Sequence, residues 1–199
     1  MQTLTQLTSL AIPLPLENVD TDQLIPARFM KESRASGYGS FLLHDLRYDS
    51  EGAPLDFILN HVAAPTAQVL VAGRNFGAGS SREAAVYALV DFGFRCVIAP
   101  GFGDIFASNA VNNGLLPAVV SASDSEQLLQ LLADDPGLVN IDLAAQSISL
   151  ANTSFHFDIN PTWKLKLLNG WDDIDLTLTE ASAIDRFRDD YLERHHWLQ

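Results

Sequence analysis

The sequence predicts an α/β fold with a parallel centre, to which both ends of the chain add further strands and helices. Between residues 69 and 133, short apolar runs alternate with segments of helical periodicity, the pattern of a parallel sheet covered by helices. Between residues 141 and 159 the runs shorten and alternate apolar with polar residues, as in an antiparallel hairpin. There is no internal repeat or low-complexity tail, so we expect one domain over residues 1–199.

The N-terminal quarter is the least regular part of the sequence. Ile12–Leu16 contains two prolines, and because proline donates no backbone hydrogen bond we expect at most an edge strand there. Asn18–Asp22 is a polar turn whose aspartates and threonine are suited either to capping a short helix or to catalysis. Phe41–Leu55 is expected to be irregular or partly helical, and loops of this length in compact domains tend to be functional.

The central stretch begins with the apolar run Val69–Ala72, which predicts a buried strand. A glycine-containing loop follows, and Ser80 with Glu83 three residues later predicts a capping box at the start of a helix. A strand, a glycine loop and a helix N-terminus together form a site suited to an anion. The alternative is that Ser80 only caps the helix.

The glycine loop does not match the known nucleotide motifs. It has no lysine at Ser80, where a P-loop requires one, and Arg82 stands where a dinucleotide-binding loop requires glycine. Neither serine has the glycines of a nucleophile elbow. A hydroxyl pair beside an arginine therefore favours a carboxylate ligand and a serine oxygen held as an anion.

The remaining elements follow from apolar runs and capping signals. Ser123 with Glu126 predicts a second capping box, and Asn160 before a proline predicts an N-cap. The predicted strands are Cys96–Ala99, Leu115–Val120, Ile141–Leu143, Ser147–Leu150 and Ser154–Ile159. The predicted helices are Asp104–Asn113, Asp124–Ala133, Pro161–Leu168 and a last helix capped by Thr179 that continues to about His195.

Composition narrows the class of protein. The net charge of -13 argues against a nucleic-acid partner. A single cysteine, Cys96, fits a reducing compartment, and we interpret it as a small buried hydrophobe. No apolar run approaches membrane-spanning length and Met1–Ser9 lacks the features of a signal peptide, so we expect a cytoplasmic protein. The histidines are scattered, and no metal site is expected in this chain.

Several motifs, in order, resemble one family. They are Asn18–Arg28 (NVDTDQLIPAR), Gly77–Glu83 (GAGSSRE), Gly93–Pro100 (GFRCVIAP), Asp104–Asn109 (DIFASN) and Asn113–Pro117 (NGLLP). The sequence is similar along nearly its whole length to the small-subunit family of bacterial 3-isopropylmalate dehydratase, which corresponds to the swivelling C-terminal domain of aconitase. The resemblance implies a three-layer β/β/α swivel domain.

The resemblance also implies a function. It is a hydro-lyase reaction that interconverts 2-isopropylmalate and 3-isopropylmalate in leucine biosynthesis, on a small diacid substrate. No cofactor is expected on this chain; a 4Fe-4S cluster is expected on a partner large subunit.

The resemblance assigns roles residue by residue. Ser80 would be the base that removes a proton next to a carboxylate, and Asp22 would belong to the acid–base network. Ser81 and Arg82 would bind a substrate carboxylate, and Arg34 would be a further carboxylate contact. An alkoxide base needs donors that stabilise it, and arginine suits a planar carboxylate because it binds through two parallel hydrogen bonds.

Three positions depart from the family pattern: Ala84 replaces a histidine, Ala78 replaces a cysteine and Gly103 replaces an alanine. The alternatives are a subunit acting on a related 2-hydroxy diacid of the citramalate or methylmalate type, and a non-catalytic carboxylate-binding subunit. We also expect a locally positive mouth, because a dianionic substrate must approach an acidic chain. The arginines expected to form it are Arg28, Arg34, Arg74 and Arg82.

Overall fold

A computed structural model describes residues 1–61, 63–133 and 135–198. The described residues form one mixed sheet of seven strands: β1 (Gln6–Leu14), β2 (Val69–Ala72), β3 (Cys96–Ala99), β4 (Leu116–Val119), β5 (Gly137–Asp142), β6 (Ser147–Leu150) and β7 (Thr153–His156). They also form eight α-helices: α1 (Thr21–Leu24), α2 (His44–Arg47), α3 (Ala84–Phe92), α4 (Asp104–Asn112), α5 (Ala122–Leu131), α6 (Pro161–Asn169), α7 (Asp173–Leu178) and α8 (Ala181–Arg194). Between β1 and β2, the described residues also form five short 3-10 turns: Ala27–Lys31, Arg34–Ser36, Gly39–Phe41, Ile58–Asn60 and Ala64–Thr66.

The strand order is β4-β3-β2-β1-β5-β6-β7. Strands β1 to β4 pair in parallel. The pairs β1–β5, β5–β6 and β6–β7 are antiparallel. This arrangement confirms the predicted α/β class with a partly parallel central sheet.

The position of β1 differs from the prediction. It is a central strand that changes partner halfway: its first half pairs with β5 as far as Ala11, and its second half pairs with β2 from Ala11 to Leu14. Pro13 is tolerated because β5 has already ended, so the missing N–H faces no neighbouring strand on that side. Only the last residues of β1, after Ala11, therefore have one unpaired side, as a proline requires.

The sheet has a hydrophobic core on each face, because successive strand residues point to opposite sides. On one face, Leu70 and Val97 pack with α3 and with the segment from residue 19 to 67. On the other face, Val71 and Ile98 pack with the antiparallel strands and with Leu128 of α5. Helices thus cover the first face, and the sheet itself encloses much of the second.

The sheet curls until its two ends meet. Asp158, just after β7, forms two backbone hydrogen bonds with Val119 of β4 at 2.7 and 3.1 Å. Because β4 and β7 are the outermost strands, this contact folds the sheet back over its second core. Two β layers and one helical layer result, as expected of the swivel-domain class.

Two predicted helix starts were wrong. Ser121, rather than Ser123, caps α5 by accepting a hydrogen bond from the Asp124 amide, because the chain turns into the helix two residues earlier. Thr179 ends α7 instead of beginning the last helix, and its hydroxyl donates to the Leu176 carbonyl oxygen.

Within the described ranges, every helix is too short or too polar to cross a membrane.

Candidate functional site

The glycine loop lies at the carboxyl ends of the parallel strands. It leaves β2 at Ala72 and reaches α3 at Ala84, and the segments that follow β1 and β3 lie on either side of it. In open α/β sheets, ligands bind in the crevice at this edge. The loop is therefore in the position where a substrate is expected.

Backbone hydrogen bonds fix the loop to the segment after β1. The Gly77 amide donates to the Val19 carbonyl oxygen at 2.7 Å, and the Thr21 amide donates to the Ala78 carbonyl oxygen at 2.9 Å. On the other side, the Phe76 amide donates to the Gly101 carbonyl oxygen at 3.0 Å. The ladder of the sheet thus continues beyond the strands and holds the loop in place.

Two glycines permit this close packing. Gly77 has a φ of +71°, and a Cβ there would lie 2.2 Å from the Phe106 ring. A Cβ on Gly103 would lie 2.6 Å from the Gly77 carbonyl oxygen. Glycine at 103, where the resemblance implies alanine, therefore lets the turn after β3 approach the loop closely.

The predicted capping box at Ser80 is not formed. Helix α3 begins at Ala84, and neither Ser80 nor Glu83 provides a side-chain cap. The Ser80 amide donates to the Thr21 hydroxyl at 3.1 Å, while the Glu83 carboxylate accepts from the Asn113 side chain at 2.8 Å. Both groups of the box are thus used elsewhere, and the hydroxyl pair precedes the helix by one turn. The interpretation of Ser80 as only a helix cap is wrong.

Two consecutive residues of α1 contact the loop. The Thr21 hydroxyl lies 3.2 Å from the Ser80 hydroxyl, and Asp22 forms an ion pair with the Nη1 group of Arg82. Ser80 and the neighbouring Ser81 are exposed, whereas the Arg82 side chain is only 25% exposed. Four of the residues singled out from the sequence, Asp22, Ser80, Ser81 and Arg82, are therefore brought together.

Arg34 lies in the 3-10 turn Arg34–Ser36 and packs against α3 rather than against the loop. Its guanidinium stacks over the Tyr87 ring at 3.6 Å and lies 3.7 Å from the Asp91 carboxylate. The pKa of Tyr87 is raised, first by burial and then by the hydrogen bond to the Glu83 carboxylate. Glu83 ends the loop, so Arg34 connects to the site only through the first turns of α3.

The expected positive mouth is neutralised in this structure. Each of its four arginines has a carboxylate partner: Arg28 with Asp45, Arg34 with Asp91, Arg74 with Glu17 and Arg82 with Asp22. A substrate carboxylate must share or replace one of these partners. Of the four, Arg82 is the least exposed, and so it offers the strongest charge-assisted contact.

The potential metal ligands are dispersed in the part of the chain that the structure describes. Over the described ranges, no group of three or more His, Cys, Asp or Glu side chains is arranged to hold a metal ion. Cys96 is fully buried, and this burial raises the pKa of its thiol well above the ordinary value. A buried neutral thiol is an inert packing group, as the sequence predicted.

Thr21 is a residue of the site for which the sequence predicts no specific role. It stood among three polar residues, each suited to capping α1, and in the structure the cap is Asp20. The Thr21 hydroxyl is left for Ser80. Its position directly before Asp22 in the NVDTDQ motif was the only available signal.

The chain is similar to known proteins in sequence and in fold. The family model of the aconitase C-terminal domain matches residues 1–123. The chain is 44% identical to the 3-isopropylmalate dehydratase small subunit of Roseobacter denitrificans over the full length of both chains. It is 46% identical to that of Rhodospirillum centenum, over 94% of each chain.

A solved structure also matches. The 3-isopropylmalate dehydratase crystal structure from Methanocaldococcus jannaschii aligns with a TM-score of 0.65 and 26% identity. The alignment covers 92% of this chain and 99% of that one.

Proposed function

We propose that this chain, which belongs to the family of 3-isopropylmalate dehydratase small subunits, contributes half of a hydro-lyase active site and works only with a large subunit. The observation that carries the proposal is the position of Ser80, an exposed residue, in the same loop as the Arg82–Asp22 pair. Residues 1–199 would act as a single domain in the cytoplasm and interconvert 2-isopropylmalate and 3-isopropylmalate in leucine biosynthesis.

In the proposed reaction, Ser80 acts as an alkoxide. Its oxygen takes the proton from the carbon next to a carboxylate, and the released electron pair forms the C=C bond as the hydroxyl group leaves the adjacent carbon. The reverse steps add water in the other orientation. A serine hydroxyl is a weak acid, so neighbouring donors must stabilise the oxygen as an anion.

Arg82 and Ser81 would bind the substrate carboxylate. A guanidinium has five N–H donors, and Asp22 is bound through Nη1, so a second carboxylate can bind through the other donors. Asp22 would hold Arg82 in place and take part in proton transfer. Arg34 would contribute a further carboxylate contact on the α3 side.

The large subunit would supply the other half of the site. A 4Fe-4S cluster held there would act as a Lewis acid toward the substrate hydroxyl. This chain offers no comparable ligand set among its described residues, and its single cysteine is buried. The large subunit would thus activate the substrate hydroxyl, and this chain would bind the carboxylate and transfer the proton.

Reconstitution tests the proposal. The purified chain is mixed with a cluster-loaded large subunit, and the alkene intermediate is followed by its ultraviolet absorbance from either isopropylmalate isomer. We expect turnover from the mixture and none from either subunit alone. Dehydration by the isolated chain, or no activity with any matched large subunit, would contradict it.

A further inference from the structure

We propose that Thr21 is a positioning residue for Ser80, which orients its oxygen and donates the hydrogen bond that stabilises it as an anion. This inference rests on the proposed function, because it matters only if Ser80 is the base. It goes beyond the roles that the family motifs assign.

The hydrogen-bond geometry requires Thr21 to be the donor when Ser80 is ionised. A hydroxyl carries one hydrogen and two lone pairs. One lone pair of the Thr21 oxygen accepts the Ser80 amide at 3.1 Å, and the same oxygen lies 3.2 Å from the Ser80 oxygen. An ionised Ser80 has no hydrogen to give, so the Thr21 hydrogen must point toward it.

The surroundings hold Thr21 firmly. The residue is 1% exposed, and its amide donates to the Ala78 carbonyl oxygen at 2.9 Å. Asp20 and Gln23 form a complete capping box around the first turn of α1, so that turn has little freedom. A donor held in this way needs no reorganisation when negative charge develops on Ser80.

Burial also strengthens the interaction. Thr21 is removed from water, whereas Ser80 is exposed on the side from which a substrate approaches. A hydrogen bond to a charged oxygen is stronger where water competes less. The Thr21 hydroxyl thus contacts the Ser80 oxygen from the buried side, and the solvent side of Ser80 stays accessible to substrate.

The experiment compares Thr21→Val with Thr21→Ser in the complex with the large subunit. Valine has the same shape without a hydroxyl, whereas serine keeps it. We expect Thr21→Val to lower kcat by about 100-fold with KM unchanged, because a smaller fraction of Ser80 is then held as the alkoxide; this is the size usual for removing one donor to an active-site oxyanion. Thr21→Ser should retain kcat within a few-fold. If Thr21 had only a structural role, Thr21→Val would lower thermal stability and would not lower kcat selectively while leaving KM unchanged.

Ser80→Ala and the Ser80→Ala/Thr21→Val double variant complete a cycle. If Thr21 acts through Ser80, the second substitution adds no further loss. Wild-type kcat in Thr21→Val, with Ser80→Ala inactive, would overturn this inference alone. Normal turnover in Ser80→Ala would overturn the base assignment and this inference together. Where Thr21→Val does not assemble, Thr21→Cys, a much weaker donor, is measured by the same criterion.

Discussion

Replacing Gly77 by alanine tests whether the close packing of the loop stabilises the fold. The new Cβ would lie 2.2 Å from the Phe106 ring, which is itself packed against Phe76 at 5.5 Å and Phe102 at 6.2 Å between ring centroids. A left-handed conformation costs a non-glycine residue about 1–2 kcal/mol, and overpacking a core costs about 1–3 kcal/mol. We therefore expect a loss of about 2–5 kcal/mol in the free energy of unfolding.

Urea unfolding of the isolated chain measures the effect. With a slope of about 2 kcal/mol/M, usual for small proteins, the midpoint should fall by about 1–2.5 M. Gly101→Ala is the matched control, because a Cβ there meets nothing within 4 Å and the residue lacks a positive φ. The two variants having equal midpoints would refute the reasoning. Activity should also fall in Gly77→Ala, because the displaced loop carries Ser80.

Two further changes test individual contacts. Arg82→Lys should raise KM by about 10- to 100-fold in the reconstituted complex, because lysine cannot bind a carboxylate through two parallel hydrogen bonds. Arg74→Lys, whose exposed ion pair with Glu17 lies outside the proposed substrate contacts, should leave KM unchanged, and equal effects would contradict the role of Arg82. Asp172 caps α7, and its pKa is lowered, first by the Asp175 amide. Its stabilising effect, measured against Asp172→Ala in urea, should be present at about pH 7 and lost as the pH falls below about 4 toward the lowered folded-state pKa; a difference independent of pH would contradict this.

Local signals predicted most of the elements, because they depend on neighbouring residues. The strands Val69–Ala72 and Cys96–Ala99 were predicted with their observed bounds, and the Asn160 cap of α6 was correct. The central position of β1 could not be predicted. The two prolines of Ile12–Leu16 indicate an edge, and only the observed pairing shows that the contact with β5 stops at Ala11, before Pro13.

The residues of the candidate site were predicted from the family motifs, but the hydrogen bonds between them were not. Ser80 and Glu83 have the spacing of a capping box, yet their partners Thr21 and Asn113 are 59 and 30 residues away. Likewise, the pairing of Arg82 with Asp22 spans 60 residues. Such contacts depend on how the loops meet at the sheet edge, which no local pattern specifies.

The most direct test of the central claim is the rate of alkene formation by the complex containing Ser80→Ala, with Ser81→Ala as the matched variant. If the Ser80 oxygen removes the proton, Ser80→Ala should lower kcat by about 100- to 10,000-fold, the range typical of a lost general base. Ser81→Ala should act mainly on KM. Near-normal kcat in the Ser80→Ala complex would contradict the account.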